Sequence, residues 1–267
     1  MIRSALSLSL LATLAACAPY REDDVRLDVD LRAAFSLTEV NPVGVTVDPV
    51  TGQRFVLDAD QGIYEIFDDG RATQVLAAAD FPEILPAPRS AFTDLAALGD
   101  GRFALTARSF GYLLDVQANS LAQFFCYEPG WMDPEAFDQS THTLAYDPAA
   151  GVLISQPQTL DMMNNEQVTL SQIGTFDALE GTDLSWSDLS DLDFLAGGLT
   201  VLDSETLLLG QGTSLYRHTL DSARPVLDAD LSNLGVGSIE GLAYDTHTET
   251  LLVLDGDSDR LIEIALD

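Results

Sequence analysis

A unit of strand, polar turn and strand recurs along the chain, and this internal repeat limits the possible folds more than any other feature. The best-matched copies run from Gly198 to Gly212 and from Gly241 to Asp255. Related units begin at Gly44, Asp94 and Thr143, so the five starts lie about 49 residues apart. A third alternating segment follows each unit, as at Ile63–Phe67, Tyr112–Val116, Ser214–His218 and Leu261–Ile264. A fourth is visible at Ala72–Leu76, Leu121–Cys126 and Pro225–Leu231. Short segments rich in Val, Leu, Ile, Tyr and Phe, separated by Asp, Gly and Pro, predict an all-β chain. Four such strands per repeat predict a β-propeller. Five blades of this length almost exhaust the sequence, and a six-bladed alternative requires one mis-registered repeat. Too few residues follow Gly241 for a complete blade. Val25–Leu31, which alternates with period two, is expected to supply the missing strand and close the ring from the N-terminus.

The first residues have a different character. Met1-Ile2-Arg3 is a short cationic start, and Ala5–Leu14 is an apolar and Ser/Thr run too short to span a bilayer as a helix. It ends in Leu14-Ala15-Ala16-Cys17, the pattern of a bacterial lipobox, in which the Cys becomes the acylated first residue of the mature protein. Residues 1–16 are therefore read as a lipoprotein signal peptide, 17–24 as a lipidated linker and 25–267 as one propeller domain. Several acyl chains on Cys17 would anchor the protein to a membrane without a spanning helix. Ala18, where Asp would direct retention, points to the outer membrane and a periplasm-facing location in the cell envelope. With Cys17 acylated, Cys126 is the one free cysteine of the mature chain, so no intramolecular disulfide is expected and stability must come from packing.

Charge excludes several function classes. All 12 basic residues are Arg, against 43 acidic ones, and the formal net charge is −31. Nucleic-acid binding requires cations that neutralise phosphates, and no basic stripe exists to supply them. The lack of Lys also removes Schiff-base and P-loop chemistry.

The order of repeats resembles the SdiA-regulated family, bacterial envelope propellers distantly related to NHL-repeat proteins. Val43-Gly44-Val45-Thr46, Leu98–Phe103, Leu144–Asp147 and Ile239–Asp245 carry the resemblance, which extends from about Asn41 to Asp267. It implies a calcium site on the propeller axis and protein–protein contacts, with no firm enzymatic activity. Esterase-like phytases share the Glu-Gly-Leu-Ala-Tyr-Asp segment at 240–245. In the family, several blades carry a Glu just before the first strand, and the equivalent positions here are Val43, Thr93, His142, Gly197 and Glu240. Glu240 alone keeps the carboxylate. Asp94, one residue along, is the second candidate metal ligand, although calcium prefers six to eight oxygens. His142 and Glu240 are also the candidate acid–base pair, because His titrates near neutrality.

Two readings of function follow. The first is a membrane-anchored propeller that acts as a binding or interaction module, with a protein or small-molecule ligand at one face. Tyr127, Trp131 and Phe137, concentrated in a turn-rich insertion, are its candidate contact residues. The alternative is a calcium-assisted hydrolase of phytase or lactonase type, with its site on the axis. Other motifs read as turns or core. Asp255-Gly256-Asp257-Ser258-Asp259 opens like a calcium loop but lacks the later Gly and Glu, and is expected to cap backbone amides, as is Asp58-Ala59-Asp60. Gly210-Gln211-Gly212 is a hairpin turn, and Cys126 a buried thiol. Asp177–Asp193 is an acidic connection.

Overall fold

The computed structural model describes residues 20–81, 92–107, 110–126, 137–161, 166–169, 172–178, 183–188, 196–219, 222 and 224–266. An N-terminal strand β1 (Val25–Asp30) leads into a five-residue helix α1 (Leu31–Phe35), and four sequential strands follow: β2 (Pro42–Val47), β3 (Arg54–Asp58), β4 (Gly62–Ile66) and β5 (Ala72–Ala77). A second four-stranded sheet contains β6 (Phe92–Gly99), β7 (Arg102–Ala107), β8 (Phe110–Asp115) and β9 (Ser120–Cys126). Next come β10 (Phe137–Asp147), β11 (Val152–Asp161), β12 (Glu166–Thr169), β13 (Gln172–Asp177) and β14 (Asp183–Asp188). Then β15 (Gly198–Asp203), β16 (Thr206–Gln211), β17 (Ser214–Thr219) and β18 (Val226–Asp230) form a meander, followed by β19 (Ile239–Asp245), β20 (Thr250–Asp255) and β21 (Arg260–Ala265). Within each sheet, neighbouring strands are antiparallel.

All-β architecture is as the repeat predicts, but the count of five like blades is not. Four sheets have the regular four-stranded form: β2–β5, β6–β9, β15–β18, and β19–β21 completed by β1. The remaining sheet is five-stranded. β10 and β11 pair along their whole length, from Phe137↔Asp161 to Asp147↔Val152, whereas β13 covers only Val152–Ser155 of β11 and β12 covers Gln158–Asp161. The long interval between Thr143 and Gly198 thus builds an extended ribbon instead of a fifth regular blade, and no sixth blade is found among the described residues. This sheet nevertheless takes a sector of the circle: the first strands β2, β6, β10, β15 and β19 pack side by side in a closed circuit, with β19 against β2.

Each sheet buries both faces against its neighbours, so its strands read as near-continuous apolar runs. Leu251, Leu252, Val253 and Leu254 are all fully buried. The core is divided among the clefts between sheets. Phe55, Leu57, Leu95, Phe103 and Leu105 fill the first, while Leu208, Leu215, Leu242, Leu251 and Ile262 fill the last but one. Turns are held by aspartates whose carboxylates accept following amides. Asp48 binds the amides of Val50 and Thr51, Asp147 those of Ala149 and Ala150, and Asp245 that of His247. Much of the acidity is spent in this way.

Ring closure uses the N-terminal strand, as expected. β1 pairs with β21 from Val25↔Ile264 to Asp30↔Arg260, and Arg260 meets Asp28 at 2.7 Å. The Asp30 carboxylate then caps α1 by accepting from the amide of Ala33, and Phe35 stacks on Tyr64 of β4 with ring centroids 3.9 Å apart. The N-terminal segment thereby ties the last sheet to the first. A buried ion pair crosses the same seam. Arg54 Nη2 lies 3.1 Å from the Glu263 carboxylate, to which Thr250 Oγ1 donates at 2.7 Å, and Arg54 also binds Asp68. Removing one partner of such a pair leaves a desolvated charge. Glu263→Ala is expected to lower stability by about 3–5 kcal/mol in a denaturant melt, against less than about 1 kcal/mol for Asp69→Ala at the exposed Asp69–Arg71 pair.

Candidate functional site

The residues predicted to ring the axis prove to be structurally equivalent, for a reason that lies in the backbone. Pairing of four of the five first strands with their second strands shifts register at this point: between Pro42 and Gly44, Phe92 and Asp94, Thr141 and Thr143, and Ile239 and Gly241. The skipped residues are Val43, Thr93, His142 and Glu240. Gly197 immediately precedes β15, the fifth such strand. A β-bulge bends its strand and re-aims the extra side chain, and bulges are over-represented beside active sites. In four of the five first strands one rim position is therefore set apart from the regular pleat, whereas β15 shifts register between Val201 and Asp203.

These positions carry little metal-binding chemistry. Val43 packs against the core between the first two sheets. Thr93 Oγ1 lies 3.0 Å from Thr106 Oγ1. Gly197 has no side chain, and a Cβ there would fall 1.9 Å from the carbonyl oxygen of Ile239. The backbone of His142 lies in β10, with its side chain outside the described residues. Glu240 is exposed and accepts from Ser238 Oγ at 3.1 Å. Partial withdrawal from water, followed by the charges of Asp257 and Asp255, raises its carboxyl above the ordinary range. Among the described residues, no three His, Cys, Asp or Glu side chains converge to hold a metal ion. One carboxylate, one engaged hydroxyl and an aliphatic side chain do not make the oxygen cage that calcium requires.

Asp94 sits one residue beyond the bulge and behaves differently from Glu240. It is 3% exposed, its Oδ1 accepts from the amide of Leu95 at 2.8 Å, and its Oδ2 accepts from the amide of Leu144 at 2.7 Å. Leu144 belongs to β10, so the carboxylate bridges two sheets. The equivalent positions are Gly44, Thr143, Gly198 and Gly241, and the glycines are dictated by close approach. A Cβ on Gly44 would lie 2.3 Å from Asp94 Oδ1, and one on Gly198 would lie 2.7 Å from backbone atoms of Gly241 and Leu242. Asp94 thus fills the gap between first strands and satisfies an inward-facing amide of its neighbour. Thr46 and Thr200 do the same two residues further along, accepting from the amides of Ala97 and Tyr244 at 2.9 Å each. The sequence reading missed these threonines. Their signal was their shared place in the repeat. Beyond them, at the far end of the first strands, a cavity of ≈ 60 Å³ is lined by Val45, Thr46, Leu144, Leu199, Thr200 and Leu242 among others, with no charged side chain. It is large enough for a few waters.

The remaining candidates separate cleanly. Asp255 is fully buried and accepts from the amides of Gly237, Ser238 and Asp257 and from Ser258 Oγ, the capping role expected of that turn. Asp58 repeats it with the amides of Asn41, Asp60 and Gln61. His218 is buried in β17, neither ring nitrogen has a hydrogen-bond partner among the described residues, and burial lowers its pKa, which favours the neutral ring. His247 lies in a turn, with Nε2 3.2 Å from the carbonyl oxygen of Pro49 across the seam. Cys17, Tyr127 and Trp131 fall outside the described residues, and Phe137 is described only as the first backbone position of β10.

Burial pushes the Asp94 carboxyl well above the usual range, the two amides opposing it only in part. The folded state therefore holds this proton to higher pH than the unfolded chain, whose Asp titrates near pH 3.9. The contribution of Asp94 to stability is greatest below about pH 4 and falls as pH rises through the folded value, opposite to that of a salt-bridged Asp. Asp94→Ala should flatten that part of the stability–pH profile. At low pH it should cost about 1–3 kcal/mol, because the Leu144 amide loses its acceptor.

No family model and no curated protein matches the sequence. Solved structures do. A gluconolactonase from Xanthomonas campestris, described as important in glucose secondary metabolic pathways, superimposes with a TM-score of 0.54 at 16% identity, covering 84% of this chain and 72% of its own. The WD40 repeats of RRP9 give 0.52 at 13% identity, covering 93% and 99% respectively, and U3-55K gives 0.51 at 13%, covering 92% and 100%. At these identities the likeness is one of architecture, and it places the chain among the β-propellers.

Proposed function

We propose that this chain is a lipid-anchored β-propeller of the bacterial cell envelope, held by Cys17 in the outer membrane and facing the periplasm, that acts as a binding module. The observation that carries this reading is the composition of the bulged rim. The positions that in the resembled family present carboxylates to the axis here hold Val43, Thr93 and Gly197, with Glu240 alone acidic. A binding module needs no convergent carboxylates. It needs a surface, and Tyr127, Trp131 and Phe137 are the proposed contact residues, since Tyr and Trp dominate binding hot spots.

One observation favours the second reading, a calcium-assisted hydrolase of lactonase type. Glu240, with its raised pKa and with Asp255 and Asp257 beside it, could serve as a general acid–base group at the rim, and one architectural neighbour is described as a gluconolactonase. Metal analysis of the purified mature protein, a thermal melt with and without chelator, and an assay of sugar-lactone hydrolysis separate the two. The binding-module reading expects no bound calcium, an unchanged melting temperature and no turnover above background. Stoichiometric calcium, together with hydrolysis that Glu240→Gln abolishes, would establish the lactonase instead.

A further inference from the structure

The path of the N-terminal segment limits how an anchored propeller can sit on a membrane. Tyr20 is docked: its carbonyl oxygen accepts from Asn233 Nδ2, and its side chain packs against the core that includes Leu215, Ala229 and Leu234. Arg217 of β17 lies near it. Only Ala18 and Pro19 separate Tyr20 from Cys17. Three Cα–Cα steps reach about 11 Å at most, so an acylated Cys17 brings this flank of the ring to the bilayer surface.

That flank carries an apolar patch. Arg217 is paired in register with Val226 of β18, the outermost strand of its sheet. Val226 is 67% exposed and Leu227 47%. The other exposed large hydrophobics among the described residues, Val50 and Phe67, belong to the first sheet and its turns. Two arginines offset part of the acidity of β18, which carries Asp228 and Asp230. Arg217 neutralises Asp228 at 3.1 Å, and Arg224 is exposed beside it. A net charge of −31 would otherwise repel an anionic lipid surface.

We propose that the outer edge of β18, through Val226 and Leu227, rests on the bilayer in which Cys17 is anchored, so that the propeller is held by its side. This rests on the lipid-anchor reading above. The first strands form the inner circuit and β18 is the strand of its sheet farthest from it, so contact through β18 leaves both ends of the axis open to solvent. The Glu240 rim and the charge-free cavity at the opposite end would then both be reachable by ligands. Two side chains do not hold a protein on a membrane; the acyl chains do that, and the patch orients the ring.

The test uses the full lipoprotein in a Cys126→Ser background, on vesicles of zwitterionic lipid with and without spin-labelled lipid. An environment-sensitive fluorophore is placed at Val226→Cys, at Leu227→Cys or, as control, at Val50→Cys. The expected result is a blue shift and quenching by spin-labelled lipid at both β18 positions and neither at position 50. Flotation of the unlabelled protein and of Cys17→Ser reports the anchor separately. A chain that floats through Cys17 but shows no quenching at 226 and 227 beyond that at 50 overturns the side-on contact and leaves the anchor standing. A wild-type chain that does not float overturns both.

Discussion

Each sheet of this molecule is stable only between two others, so the whole structure depends on the ring being closed. An open array would expose a complete apolar sheet face at each end. Closure is achieved by covalently distant pieces. The first described strand completes the last sheet, α1 stacks Phe35 on Tyr64 of the first, and Arg54 reaches Glu263 across a seam that buries both side chains. A buried ion pair gains little over a well-packed apolar contact, but it discriminates strongly against wrong arrangements, because either charge left alone is costly. This geometric specificity supports the closure.

The axis shows the same economy at smaller scale. First strands come together closely enough that glycine is required where backbone meets backbone, as at Gly198 against Gly241. Inward-facing amides then need acceptors, and Asp94, Thr46 and Thr200 supply them from the neighbouring strand. The residue most suggestive of an axial metal ligand, a buried aspartate near the centre of the ring, is thus committed to holding two sheets together. Glu240, exposed beside Asp255 and Asp257, retains the freedom to meet a ligand.

Much of this was legible in the linear pattern. Period-two alternation and Asp-rich turns located nearly every strand of the regular sheets, and aligning the repeats picked out the bulged positions before any bulge was visible. The capping roles of Asp58 and Asp255 followed from their place in equivalent turns. Residues 137–188 were not legible. Thr143–Ile154 reads as another repeat, but β10 and β11 continue well past it as a long ribbon, and pairing over ten residues looks locally the same as pairing over five. The role of Asp94 was hidden for a related reason, since its partner amide lies 50 residues away and an amide has no signature in sequence.

By itself, the sequence determined the all-β class, the repeat, the N-terminal strand that closes the ring and the equivalence of the rim positions, because alternation, turn chemistry and repeat spacing are local properties of the chain. Tertiary structure alone decided that four sheets are regular blades and one is not, that Asp94 ties neighbouring first strands, that Arg54 and Glu263 share a buried seam, and that Tyr20 docks beside β18. Those outcomes depend on which distant residues become neighbours when the ring closes.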